Sequence, residues 1–256
     1  MKQQFEYFFA ALRFFTRLPV PAWVGHGQEQ LNHAARWFPL VGVIVGAIGA
    51  AATELAALVL PIGSAVLLGM VATVLVTGGF HEDGFADSCD GFGGGWDKAQ
   101  VLAIMKDSRI GSYGVLALGL ALLTKFNALL EIDAAYEPPG LACALVAGHA
   151  VSRMAALWPL LGLDYVRPDD PAARSAAVAA RPGGPALALP LLCGLAPCLL
   201  LSGVETLIAL GAVAATAFAA TAYFRRRLGG YSGDCLGATQ QLCELAFYLG
   251  LLCSST

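Results

Sequence analysis

Three aspartates stand at helical spacing in the stretch Gly78-Gly-Phe-His-Glu-Asp-Gly-Phe-Ala-Asp-Ser-Cys-Asp-Gly-Phe-Gly-Gly-Gly. Asp83, Asp87 and Asp90 are related as i, i+4 and i+7, so a helix here presents all three on one face. Three carboxylates on one face repel one another unless a cation lies between them. Oxygen-only donors select a hard cation, and Mg²⁺ held by carboxylates together with substrate phosphates is the usual arrangement. The expected metal ligands are therefore Asp83, Asp87 and Asp90. The expected chemistry is displacement at a diphosphate whose charge the cation neutralises. The competing explanation is a solvated acidic loop. It is weakened by Phe80, Phe85 and Phe92 between the acids, and by the clustering itself: six of the eighteen acids fall between Glu82 and Asp107.

Other groups around this stretch have chemistry to offer. His81 and Glu82 are both candidates for a general base, although His81 serves equally well as an interface anchor. Gly93 and Gly94 offer backbone N–H groups to a phosphate, a flexible hinge being the commoner reason for such a run. Lys106 and Arg109 can pair phosphates, and are equally explained as anchors at a membrane surface. His149 and Arg153 lie four apart in an apolar run, hence on one helix face. A charge inside a span points to function by default, so Arg153 is expected to face the substrate or the acidic cluster. Asp234 sits in Gly-Asp-Cys-Leu-Gly, where small residues let backbone approach a ligand closely. It is expected to complete the metal or substrate site, with a helix cap as the alternative.

The elements that must hold these residues are membrane helices. The 256 residues are 57% hydrophobic and only 13% charged, where a soluble domain carries about 25% charge, and the mean hydropathy is +0.68. Such a chain cannot cover a water-exposed surface, so a soluble globule, a disordered chain and a nucleic-acid binder are all excluded. Apolar runs near the ~20-residue spanning length occur at about 38–60, 62–79, 110–130, 140–163, 184–201, 204–224 and 242–253, the last short and interrupted by Glu244. In–out alternation is absent, so the expected fold is all-α: a polytopic integral membrane bundle of about seven transmembrane helices, forming one domain over residues 1–256. Thirteen of the fifteen basic residues fall in every second connection, including Arg167, Arg174, Arg181 and Arg225 to Arg227. The asymmetry places the N-terminus and the long loops in the cytoplasm. Lys125 and Arg153 fall within spans, and Lys125 is expected to snorkel. Residues 1–37 read as an interfacial helix and its lead-in, and residues 80–109 as a cytoplasmic acidic active-site loop. Seven cysteines without a Cys-x-x-Cys pair suggest neither a disulfide nor a zinc site. Oligomeric state stays open.

Several stretches together resemble the cobalamin synthase family, the adenosylcobinamide-GDP ribazoletransferases. They are Phe14-Phe-Thr-Arg-Leu-Pro-Val-Pro, Phe38-Pro-Leu-Val-Gly, Gly79-Phe-His-Glu-Asp-Gly-Phe-Ala-Asp with Asp90-Gly-Phe, Met105-Lys-Asp-Ser-Arg-Ile-Gly-Ser-Tyr-Gly, and Gly233-Asp-Cys-Leu-Gly-Ala. They run in order over nearly the whole chain. The resemblance implies a Mg²⁺-dependent membrane enzyme that joins adenosylcobinamide-GDP to α-ribazole or its 5′-phosphate, releasing GMP and forming adenosylcobalamin or its phosphate. Two other readings use the same residues. A CDP-alcohol phosphatidyltransferase needs Asp-x-x-Asp-Gly-x-x-Ala-Arg, which Asp87, Asp90 and Gly91 begin but Gly94 and Gly95 break. A cation transporter needs acids near mid-membrane and an internal repeat; the clustered acids lie outside the runs and no repeat is visible.

Overall fold

The computed structural model describes residues 2–25, 28–167, 183–201 and 203–253; Arg174, Arg181 and Ser202 lie outside these. The regular structure of the described residues is helical, apart from one parallel bridge between Tyr165 and Tyr231. In chain order the helices are α1 (Lys2–Phe15), α2 (Gln28–Ala34), α3 (Phe38–Ala57), α4 (Ile62–Thr77), α5 (Phe80–Gly94), α6 (Lys98–Lys106), α7 (Ser112–Ala135), α8 (Gly140–Ala155), α9 (Leu157–Gly162), α10 (Ala188–Leu195), α11 (Val204–Leu228) and α12 (Gly233–Leu252).

Among the described residues, four helical runs are long and apolar enough to cross a bilayer: Gln30–Ala57, Ser112–Ala135, Gly140–Gly162 and Val204–Leu228. Their outer faces expose Leu55, Leu116, Leu120, Leu123, Leu207 and Phe218, an apolar surface that only lipid would cover. The helical membrane bundle expected from composition is thus present, but seven apolar runs do not make seven straight spans. The run at 62–79 ends at Thr77, and α4 and α5 pass as a span only as a pair bent by 87°. The run at 184–201 is broken into a 3₁₀ turn at Gly184–Leu187, α10, and a second 3₁₀ turn at Ala196–Leu200. Proline supplies no N–H to the helix ladder, and Pro197 opens that second turn. The short run at 242–253 is the second half of α12, which spans 20 residues but carries Asp234 and Glu244.

Two further segments have helical structure of their own. Residues 2–15 form α1, and residues 28–37 form α2 and a 3₁₀ turn. Helix α1 buries Tyr7, Ala10, Ala11, Leu12 and Phe15 in a cluster with Phe38, Val41 and Val45 of α3, and residues from Gln30 onward already belong to the first long run. Residues 80–109 are not an irregular loop: they fold mainly as α5 and α6, with α5 packed against α6, α7 and α12.

The bend that creates α5 is a backbone effect. Gly78 and Gly79 both have left-handed φ, at 69° and 70°, a region that costs residues with a Cβ about 1–2 kcal/mol each. Gly78 closes α4 and lies against the Arg17 guanidinium, while the Gly79 carbonyl accepts the Asp83 N–H at 2.8 Å. The chain therefore leaves α4 and starts α5 almost at right angles, carrying the acids across the end of the bundle. At the bundle centre α8 is the most buried span, packed between α3 and α12. Gly42 and Gly46 of α3 admit the backbone of α8, the small-residue contact usual in lipid.

Gly78→Ala should therefore lower the thermal midpoint of the detergent-solubilised protein by several degrees. Gly63→Ala, whose added methyl meets nothing closer than 3.8 Å, should leave it unchanged or raise it. Equal midpoints for the two variants would mean that the left-handed pair does not set the bend.

Candidate functional site

Helix α5 and the first turns of α12 build the site between them. Gly84 and Gly237 face each other: a Cβ on Gly84 would stand 3.2 Å from Asp234 Cα, and one on Gly237 would stand 3.2 Å from the His81 carbonyl. Helices meeting at glycines approach more closely than side chains otherwise permit. The contact brings Asp234, in the first turn of α12, into the field of Asp83 and Asp87. Ser232 caps α12 through the Cys235 N–H at 3.4 Å and donates its hydroxyl to Asp234 Oδ2 at 3.2 Å. Arg167 approaches the same oxygen at 3.5 Å and is held by the Leu102 carbonyl at 3.0 Å.

Charge is unbalanced there. Partial burial, then repulsion from Asp83, Asp234 and Asp90, push the Asp87 carboxyl from 3.8 up to about 7. Burial also raises Asp234, against the pull of Arg167. The acids that converge are Asp83, Asp87 and Asp234. Among the described residues, no three His, Cys, Asp or Glu side chains already stand together at metal-ligand spacing. The donor set nonetheless suits a hard cation: all donors are carboxylate oxygens, and their mutual repulsion is what such an ion relieves.

Asp90 has a structural task beside the one its spacing suggests. It is 6% exposed, and its two oxygens accept N–H groups from Gly111 at 2.7 Å and Gly114 at 2.8 Å. These belong to the start of α7, where an anion is favoured by the exposed N–H groups and the helix dipole. Gly111 and Gly114 are glycines because a Cβ on either would strike this carboxylate. Asp90 thus anchors α7 to α5, each of its oxygens already accepting one N–H group.

The site opens into a cleft of about 590 Å³ lined by Arg13, Arg17, Gly78, Gly79, Glu82, Asp83 and Ile110, among others. Glu82 and Asp83 line this cleft and His81 does not. His81 stacks on Phe15 with ring centroids 5.5 Å apart and lines a separate cavity of about 30 Å³ with Arg153, Phe14, Phe15, Phe38 and Phe80. Burial, reinforced by the nearby Arg153 cation, holds His81 well below its ordinary pKa, so the imidazole is neutral at pH 7. Arg153 is buried within α8. Its Nη1 donates to the His149 carbonyl at 3.0 Å and lies 3.1 Å from His149 Nδ1, while its Nε is buried without a partner.

Four further sequence candidates do not line the cleft. Gly93 and Gly94 lie in the last turn of α5, where N–H groups are used inside the helix. A Cβ on Gly93 would meet the Tyr113 ring at 2.6 Å and one on Gly94 the Ile104 side chain at 3.2 Å, so this run serves packing rather than a phosphate nest. Lys106 ends α6 and, like Arg109, does not line the cleft. Arg109 is exposed and makes a fork with Asp107, at 2.6 and 3.0 Å, which holds the Asp107 carboxyl down at about 2.

Sequence reasoning missed four groups. Arg13 and Arg17 were counted as topology signals, yet both line the cleft. Arg13 is tied to the carbonyls of Val24 and Gly25, whereas the exposed Arg17 faces the cleft from the far side of the bend. The only signal was for Arg17, which lies within Phe14-Phe-Thr-Arg-Leu-Pro; Arg13 stands just before that stretch. Arg167 reaches Asp234 because Tyr165 pairs with Tyr231, which nothing local announces. Lys125 does not snorkel: it is 6% exposed and pairs with Glu244.

The chain matches the model of a family described as cobalamin-5-phosphate synthase over residues 7–252. It is 46% identical over 250 residues to the adenosylcobinamide-GDP ribazoletransferase of Shewanella frigidimarina, covering 98% of this chain and 95% of that protein. It is 44% identical, at the same coverage, to the proteins of that name from Shewanella sp. strain ANA-3 and Shewanella putrefaciens. No solved structure matches.

The two acids should separate experimentally. Asp90→Ala leaves the Gly111 and Gly114 N–H groups unpaired and should cost about 1–3 kcal/mol of stability. Asp87 binds its proton more tightly folded than unfolded, so its contribution is full below about pH 4 and is lost as pH rises toward 7. In chelator, the melting temperature of wild type minus that of Asp87→Asn should decline from pH 4 to 7 and then level off. A flat difference would contradict the crowding of the acids.

Proposed function

The chain belongs to the cobalamin-5-phosphate synthase family, and from that premise we propose that it transfers the phosphocobinamide part of adenosylcobinamide-GDP to α-ribazole or its 5′-phosphate. GMP leaves, and adenosylcobalamin or its 5′-phosphate forms. The observation that carries this reading is the joining of unbalanced acids to a roomy cleft that also holds free cationic charge. Asp83 belongs to both the acid group and the cleft, and Arg17 faces it.

The residues have distinct tasks. Asp83, Asp87 and Asp234 would hold Mg²⁺, which when bound neutralises diphosphate charge. Arg17 pairs a phosphate oxygen of the donor from the α4–α5 bend. Glu82 accepts the proton of the attacking ribose hydroxyl; it lines the cleft, whereas His81 lines the neighbouring cavity. The new bond joins the ribose oxygen to the phosphorus attached to cobinamide, and the bond from that phosphorus to the GMP oxygen breaks. Positioning and charge complementarity supply most of the rate, as in phosphoryl transfer generally. Arg167 restrains Asp234. We place the cleft at the cytoplasmic face of the inner membrane, which the collection of Lys and Arg on that side supports.

The test is release of GMP from adenosylcobinamide-GDP by the purified protein in lipid. Release should require both α-ribazole and a divalent cation. Asp83→Asn and Asp87→Asn should each lower kcat by at least about a hundredfold while the protein still inserts, and Arg17→Ala should chiefly raise KM for the donor. GMP release without the acceptor, or near-normal rates in both Asn variants, would overturn the reading.

A further inference from the structure

A continuous line of hydrogen bonds runs from the bundle interior to the cleft. It starts at Glu244 of α12, 1% exposed, which pairs with Lys125 of α7. Tyr248 donates to the same carboxylate at 3.2 Å, and His149 Nδ1 lies 3.4 Å from it. Gln240 Nε2 donates to Glu244 Oε2 at 2.7 Å and to Ser152 Oγ of α8 at 2.9 Å. Gln241 Nε2 donates to Gln240 Oε1 at 2.9 Å and to Glu82 Oε1 of α5 at 3.1 Å.

The direction of this line is fixed by valence. An ionised carboxylate only accepts, and an amide nitrogen has two hydrogens. Gln240 spends both on Glu244 and Ser152, so its oxygen is what remains for Gln241. Gln241 spends both on Gln240 and Glu82. Neither amide can flip without setting oxygen against a carboxylate. Glu82 Oε1 is therefore held from behind by a group that cannot rotate. Its other oxygen, Oε2, is buried with no hydrogen-bond partner, on a residue that lines the cleft.

Stability alone does not explain such a line. A buried ion pair is weak evidence for stability, since well-packed apolar residues often serve as well, and ionisable groups among membrane helices are costly. With Oε2 enclosed and without a hydrogen-bond partner, the bond from Gln241 is what orients the Glu82 side chain among the described residues. We propose that Gln241 is a positioning residue for the transfer reaction: anchored through Gln240 on the Glu244–Lys125 pair, it fixes the Glu82 carboxylate at the wall of the cleft for the hydroxyl of the ribazole acceptor. This rests on the transferase reading above.

A double-mutant cycle on the full-length protein in nanodiscs tests it, with kcat and KM read from GMP release. Glu82→Gln should lower kcat by about a hundredfold. Gln241→Leu should lower kcat about tenfold or more, because small misplacement of a reacting group is expensive, with KM for donor and acceptor changed less than about twofold. Added to Glu82→Gln, it should lower kcat by less than about twofold further, since a residue acting only through Glu82 has nothing left to act on. The idea is overturned if Gln241→Leu leaves kcat intact, or lowers it equally in both backgrounds. If that variant does not insert, Gln241→Met, closer in shape, is read by the same cycle. A wild-type protein that releases no GMP would instead refute the transferase reading.

Discussion

Everything at the site depends on how closely α5 and α12 approach. Gly84 and Gly237 let the two backbones meet with 3.3 Å between an added Cβ on Gly237 and Gly84 Cα. Two results follow from that one contact. Asp234 enters the field of Asp83 and Asp87, which gives a carboxylate group drawn from two helices. One full turn of α12 further on, Gln241 comes within hydrogen-bond reach of Glu82. A wider separation would lose both at once. The contact in turn requires that α5 lie across the bundle end, so the left-handed pair Gly78–Gly79 comes before it in the chain of causes.

Polar burial follows two different rules along α12. At its start, Asp234 has only Arg167 and the Ser232 hydroxyl against two neighbouring acids. Its charge stays incompletely matched, as suits a place that receives a ligand. Deeper in the bundle, Glu244 is surrounded by Lys125, His149, Gln240 and Tyr248. A carboxylate so far from water must be matched by the protein itself. One helix thus passes from charge left open to charge closed off, and the two glutamines lie between.

How far the sequence could be read depended on whether neighbours in space were neighbours in the chain. The i, i+4 relation of Asp83 and Asp87 is local, and it was legible. Asp90 obeys the same periodicity, yet its fate was decided by Gly111 and Gly114, more than twenty residues away. Periodicity places a side chain on a face; it does not say what packs against that face. The same limit hid Arg167, which depends on the Tyr165–Tyr231 pairing, and Gln241, whose partner lies on α5. Hydropathy located the bilayer-facing runs but was blind to continuity. It could not register that two left-handed glycines end α4, or that prolines divide 184–201 into short turns.

Scarcity of charge explains why several basic residues carry more than one role. Arg227 belongs to the triple arginine that contributes to the one-sided basic pattern. It also donates to the Gly95 carbonyl at 2.6 Å, approaches the Phe92 carbonyl at 3.4 Å, and lies over the Phe92 ring. A cation at carbonyls left open by a helix end is favourable, so Arg227 closes α5 at its C-terminus as Gly79 opens it at the other end. Arg17 likewise adds to the basic bias and contacts Gly78 at the bend. Arg17 and Arg227 thus both add to the one-sided basic pattern and hold the two ends of the acidic helix. Removing such a charge weakens the topology signal and the site's scaffold together, so orientation and site geometry are not independently variable in this chain.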